Sequence, residues 1–251
     1  MSAATPSSTP QGSSHHALPN PARVDHLVVL AASLAEGVDW CEAVLGVAPQ
    51  PGGAHPLMGT HNRLLRVGTP AFPKSYLEIV AIDPAAIPER APPLRRWFDM
   101  DDEALRARLA TSGPHLAHWV VRVPDVQAAV EGLSAQDIDR GRVIEASRMT
   151  TAGRLQWRLT VRDDGQRLYG GALPTLIEWG PAGPGSHPGE SLPDDGIELM
   201  AMRLSHPRSR ELQLACSAIG VSGVMVDAGP AGLAATLQTP RGLVTLASTD
   251  A

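Results

Sequence analysis

The order strand, helix, three strands occurs twice in this chain, and that repeat limits its fold more than any other feature. Residues 24–30 (VDHLVVL) form a β-branched apolar run that reads as a strand. Ser33 then offers a helix N-cap, Leu34, Val38, Cys41, Val44 and Leu45 recur at helical spacing, and Gly46 suits the helix C-terminus. Strand patterns follow at 47–50, 62–67 and 76–82. A proline-rich connector, 83–114, carries one short amphipathic segment at 103–109, and the pattern then restarts. Residues 116–123 (LAHWVVRV) read as a strand, 124–133 as a helix with Pro at its first turn, and 142–147, 155–161 and 173–179 as three strands. Beyond a Gly/Pro-rich linker at 180–195 comes a shorter version: a strand at 197–204, a helix at 207–219, and strands at 223–227, 233–239 and 243–247. One such unit is mostly antiparallel sheet with a helix on one face, which buries too little surface by itself, so units must pair. The expected class is α+β, with tandem βαβββ modules forming curved mixed sheets around a cleft and a third, shorter βαβββ-like module. The modules run over 23–83 and 115–180 within one domain of 23–180, and the third over 196–251. Residues 1–22, built mainly of Ser, Pro, Ala and Gly, hold little to bury and are expected to form a disordered tail.

Apolar residues make up 43% of the chain and charged residues 19%, enough for a core and for solubility. A formal charge of −5 supplies no electrostatic pull toward nucleic acid or an anionic membrane. Lys74 is the sole lysine, which leaves little room for Schiff-base chemistry. Cys41 and Cys216 form no CxxC pair, so neither a zinc knuckle nor a thioredoxin-type site is present, and two buried thiols in a reducing compartment are expected. The first residues lack a basic start and an apolar run, and no window reaches the roughly 18–20 apolar residues of a membrane span, so the expected location is the cytoplasm. GPAGPG at 180–185 lacks the Lys and helix of a phosphate loop, and no GxSxG elbow occurs.

Superposing the two repeats places chemistry. VDHLVV lies over LAHWVV, setting His26 on His118, and YLEIV lies over LIEWG, setting Glu78 on Glu178. If first and last strands are neighbours, two imidazoles and two carboxylates converge, a donor set suited to a borderline divalent ion such as Zn, Ni, Co, Mn or Fe(II). A lone His on an apolar strand is more often a hydrogen-bonded core residue. A Glu there is costlier, because an unpaired buried carboxylate is unfavourable by several kcal/mol. The recurrence of both at matched positions favours the metal site. Near the same cleft, His61, Asn62 and Arg63 open a strand whose alternation sends His61 and Arg63 to one face and Asn62 to the other. His61 or Asn62 is a candidate substrate contact, the other reading being a turn-forming role. Arg66, Arg122 and Arg158 are cations at strand positions; Arg122 is a candidate for bidentate binding of a substrate carboxylate, a salt bridge to a Glu being the other reading. Trp119, Trp157 and Trp179 cluster on the second module's strands as core or as a substrate wall.

The segments DHLVVLAASLAEGVDWCEAVLGV, GTHNRLLRVG, YLEIVAIDP, LAHWVVRVPDV and GALPTLIEWG resemble the glyoxalase-like branch of the vicinal-oxygen-chelate superfamily over residues 23–180. That superfamily includes glyoxalase I, extradiol dioxygenases, some epimerases and drug-resistance proteins. The resemblance implies four metal ligands at His26, Glu78, His118 and Glu178, and a small oxygenated metabolite as substrate. It further implies a lyase or isomerase reaction in which Glu78 or Glu178 acts as base at a carbon beside a carbonyl. A metal-free small-molecule binder of the resistance type, an extradiol-type dioxygenase and a structural or regulatory module are the alternatives. Two copies could pair as a homodimer. The third module departs from the pattern: it has no His/Glu pair at its ends, and His206 lies past its first strand.

Overall fold

The computed structural model describes residues 22–150, 153–181, 183 and 185–248; the tail expected at 1–22 lies outside the described residues except for Ala22, which is buried. The first module consists of β1 (Arg23–Leu30), α1 (Leu34–Leu45), β2 (Gln50–His55), β3 (Thr60–Arg66) and β4 (Tyr76–Ile82). Ser33 caps α1 by accepting the Glu36 N–H, and Gly46 ends it at φ 80°, a left-handed conformation that favours glycine. The connector carries α2 (Glu103–Ser112). The second module repeats the first as β5 (His115–Arg122), α3 (Val126–Ser134), β6 (Arg142–Thr150), β7 (Gly153–Val161) and β8 (Thr175–Trp179).

The eight strands form one sheet in the order β2-β3-β4-β1-β5-β8-β7-β6. Each module's first strand runs parallel to its last, β1 with β4 and β5 with β8, and the modules join through the antiparallel β1–β5 pair. The sheet is strongly curled, and its two edges approach each other: a Cβ at Gly53 on β2 would collide with the Arg148 guanidinium on β6. Alternation along β1 divides the apolar material between the two faces. Leu27 and Val29 join a convex core with Leu77, Ile79, Trp119 and Leu176, while Val28 and Leu30 join a concave core with Val80, Val120, Phe98 and Leu105. Burial on both faces explains why β1, β4 and β5 read as continuous apolar runs. The connector therefore closes one end of the concave side rather than merely linking modules.

β2 was expected at 47–50 and lies at Gln50–His55, in the sequence QPGGAH. It is an edge strand with a bulge between Pro51 and Ala54, one of the few strand settings that tolerates Pro and consecutive glycines. The third module has the expected element order, β9 (Glu198–Ser205), α5 (Ser209–Ala218), β10 (Val224–Asp227), β11 (Gly232–Thr239) and β12 (Gly242–Ala247), after a short α4 (Pro188–Ser191). Its pairing differs. Its sheet runs β10-β9-β11-β12, with the first strand parallel to the second instead of to the last. Leu233, Ala235, Leu237 and Leu246 pack into the same core as Leu27 and Trp119, and the Leu199 N–H donates to Val67 O at 2.8 Å. The module thus covers the convex face. Among the described residues no helix is long and apolar enough to cross a membrane.

Candidate active site

The concave face opens into a narrow, partly solvent-open cleft. His26, His55, Asn62 and Glu78 supply its polar floor, and Trp97, Trp157 and Trp179 its aromatic walls. A bulge in β1 sets up the floor. Val24 pairs with Val121 and His26 with Val120, so Asp25 is an extra residue that breaks strand alternation. Asp25 and His26 can then bond to each other: His26 Nδ1 lies 2.7 Å from Asp25 Oδ1. Asp25 is fully buried, and its Oδ2 accepts from Trp179 Nε1 at 2.9 Å and from His187 Nε2 at 2.8 Å. The tautomer of His187 follows from its other nitrogen, which accepts the Gly189 N–H, leaving the proton on Nε2. Arg122 sits 3.5 Å from the same carboxylate oxygen.

On its other side His26 presents Nε2 to Glu78 Oε2 at 3.4 Å. Glu78 Oε1 accepts from the Asn62 amide, whose own oxygen accepts the Gly53 N–H, and His55 Nε2 lies 3.7 Å from that carboxylate. Tyr76 stacks on His26 with ring centroids 4.6 Å apart. Burial by itself disfavours the imidazolium of His26, but hydrogen bonds to Asp25 and Glu78 and the two negative charges outweigh it and raise the pKa from 6.5 to about 9. Burial would likewise lift Glu78, yet its bond to His26, the charges of His26 and His55, and the Asn62 bond hold it down at about 2. Asp25, buried but facing His187 and His26, also lies far below the ordinary carboxylate range. At neutral pH the floor is a row of carboxylate, imidazolium, carboxylate.

The second module does not reproduce this arrangement. The matched ends of the repeats were expected to be Glu78 and Glu178, but strand register corrects the equivalence. Val28, two residues after His26, pairs with Glu78; Val120, two residues after His118, pairs with Thr175. Thr175 therefore holds the place of Glu78, and its Oγ1 lies 3.1 Å from His118 Nε2 as Glu78 lies beside His26. His118 is fully buried and both its nitrogens are committed: Nε2 accepts the Thr175 N–H and Nδ1 donates to Gly171 O, each at 3.1 Å. Burial and the cations of Arg140 and Arg167 push its pKa well below the ordinary value, so it is neutral. Glu178 is one strand position from Ile177 and Trp179, which line the cleft, and it faces the other way. It accepts the Val126 N–H at the start of α3 at 2.8 Å and pairs with Arg158.

The four-ligand set implied by the resemblance is therefore not gathered at one point: His26 and Glu78 meet, while His118 and Glu178 are held elsewhere by other partners. Among the described residues no group of three or more His, Cys, Asp or Glu is arranged to hold a metal ion. Of the expected substrate contacts, Asn62 stands on the cleft floor. His61 is on the opposite side of β3, 3.9 Å from Asp83. Arg63 donates to its neighbour's carbonyl at Asn62, and Arg122 belongs to the buried cluster around Asp25 and donates to Pro73 O. Asp25, His55, Thr175 and His187 were not singled out in the sequence. Asp25 carried a usable signal, an acid inside an apolar run, while His55 lay hidden in a Pro-Gly-Gly segment.

A family model described as a glyoxalase-like domain matches residues 24–220, from β1 through α5. The chain belongs to that family. Its glyoxalase-like fold is also seen in a crystal structure of a hypothetical protein from Staphylococcus aureus, at 13% identity and TM-score 0.55, covering 90% of this chain and 85% of that one. Methylmalonyl-CoA epimerase from Streptomyces coelicolor, solved with 2-nitronate-propionyl-CoA, is 20% identical over 63% of this chain and 95% of its own, with TM-score 0.39. The epimerase from Mycobacterium tuberculosis is 18% identical over 64% of this chain and 89% of its own, with TM-score 0.36. No curated protein matches the sequence. The family match confirms the vicinal-oxygen-chelate superfamily expected from the sequence motifs.

Proposed function

We propose that this glyoxalase-like protein is an enzyme of isomerase or lyase type that moves a proton at a carbon beside a carbonyl in a small oxygenated metabolite. The observation carrying this reading is the buried row Asp25–His26–Glu78, whose last two members line a cleft walled by tryptophans. Glu78 is the base. In the free protein it is a weak one, because His26 and Asn62 both stabilise its charge. A substrate carbonyl that takes the His26 Nε2–H for itself removes one of those donors and raises the basicity of Glu78 as the carbon acid arrives. The C–H proton passes to Glu78 and the bonding pair moves toward the carbonyl oxygen. The resulting enolate oxygen is held by the His26 imidazolium, which Asp25 keeps oriented and charged. Return of the proton from Glu78 to carbon completes an isomerisation or exchange. No step is assigned to a metal, since the donors expected from His118 and Glu178 are bonded to other groups.

The test is deuterium exchange at the α-carbon of a panel of 2-oxo acids, 3-oxo acids and hydroxyketones, followed by proton NMR in D₂O. Wild type should exchange at least one panel member above the buffer rate, and Glu78→Gln should lose about 10²-fold or more. Exchange that survives Glu78→Gln unchanged, or wild type no faster than buffer across the panel, refutes the proposal. In the second case, ligand-induced stabilisation would point to a binding protein of the same fold.

A further inference from the structure

Arg148 on β6 lines the cleft, and its Nε is buried without a hydrogen-bond partner. The other strand arginines near the site are committed: Arg158 to Glu178, and Arg122 to Pro73 O beside Asp25. Arg148 has no carboxylate within ion-pair distance among the described residues. Trp97, from the connector, lines the same cleft and stands edge-on to His55 at 5.0 Å, and its Nε1 is likewise buried and unpartnered. Most buried polar groups in a folded protein find partners, and a guanidinium half out of water without an anion is costly. Two unpartnered donors in one cleft, one of them cationic, describe a site whose complement is an oxyanion brought by the ligand. The position of Arg148 is also built. The curl of the sheet carries β6 over β2, and Gly53 leaves free the space that a Cβ would take from the guanidinium.

The geometry points to a substrate that is a small organic oxyanion, its head held by Arg148 and Trp97 and its apolar body lying along Trp157, Trp179 and Ile177. This deepens the proton-transfer reading and rests on it for the word substrate; the anion site itself stands on Arg148 and Trp97. The arrangement separates the functions of the cleft: Arg148 attracts the anionic head, while the Glu78 carboxylate repels it, so the uncharged, carbonyl-bearing end is the one directed to the floor. Carboxylate and phosphate heads share this chemistry.

Matched ligands test it on the full-length protein. Phenylacetate, 4-phenylbutyrate and phenyl phosphate would be titrated against phenylacetamide, 4-phenylbutyramide and phenol, reading tryptophan fluorescence and thermal shift. At least one anion should bind about tenfold or more tightly than its neutral partner. Arg148→Gln should erase the preference, Arg148→Lys should keep part of it, and melting curves should show both variants folded. Preference for phenyl phosphate over the carboxylates assigns a phosphate head; the reverse assigns a carboxylate. Glu78→Gln should keep the anion preference, so loss of exchange with retained preference separates failure of the base from failure of the anion site. No anion preference in wild type, absence of all binding included, or an undiminished preference in Arg148→Gln overturns the inference.

Discussion

Raising the pH from 6.5 to 9 should strip stability from this protein through one residue, His26. In the unfolded chain its imidazole titrates near 6.5; in the folded protein Asp25 and Glu78 hold the proton until about pH 9. Between those values the folded state binds a proton that the unfolded state does not, so the stabilisation is complete below 6.5 and is lost as the pH rises through 9. At about 1.4 kcal/mol per pH unit, the step from 6.5 to about 9 amounts to about 3 kcal/mol, a large share of the 5–15 kcal/mol typical of a domain. His55, His118 and His206, whose pKa values burial lowers, act below 6.5, and the buried thiols of Cys41 and Cys216, raised to about 12, matter only above their unfolded value of 9. Urea unfolding of wild type and His26→Gln at half-unit steps from pH 6 to 9 measures the effect. At pH 6.5 the variant will be less stable by about 3–5 kcal/mol, because two buried carboxylates lose their shared cation, and the gap should narrow as the pH rises. Its stability should nevertheless be flat across the window, whereas that of wild type falls. A flat wild-type profile, or an equal fall in His26→Gln, would refute the assignment of a buried charged imidazole.

Two further substitutions separate the modules. Glu178→Gln should cost only about 1 kcal/mol in urea unfolding, because its partner Arg158 is largely solvated and its α3 contact is a single N–H; α-proton exchange should stay within about twofold of wild type, and a loss as large as that of Glu78→Gln would return Glu178 to the site. His118→Ala should destabilise by about 2–4 kcal/mol, since it opens a buried void and orphans the Thr175 N–H and Gly171 carbonyl, while bound transition metal, read by elemental analysis, should be the same in variant and wild type. Metal lost with His118 would restore the four-ligand reading.

The elements were legible where local chemistry and tertiary environment agree. β1, β4 and β5 are buried on both faces, so their sequences are mostly apolar, and α1 announces both ends through Ser33 and Gly46. β2 was misplaced because Pro51, Gly52 and Gly53 argue for a loop unless the strand is known to be a bulged sheet edge. The third module's element order was readable but its strand order was not: strand, helix and three strands fit either pairing, and contact with the convex core is not encoded in local periodicity.

The site was half legible for a related reason. His26 and Glu78 were expected to meet only if a module's first and last strands are neighbours, and β1 and β4 are, in parallel register. Glu178 was matched to Glu78 by likeness of the strings YLEIV and LIEWG, but a strand's side-chain period is two, so a three-residue error in register exchanges one face for the other. The correct partner of His118 is Thr175, a residue no search for acids would select. The same limit hid Asp25, because only a bulge lets consecutive residues of β1 bond to each other. The two modules share a fold and diverge at two positions. The first keeps a charged His–Glu pair at the cleft, and the second turns the equivalent His into a neutral, fully bonded support, leaving it to Arg148 to bring charge to the cleft from the second module.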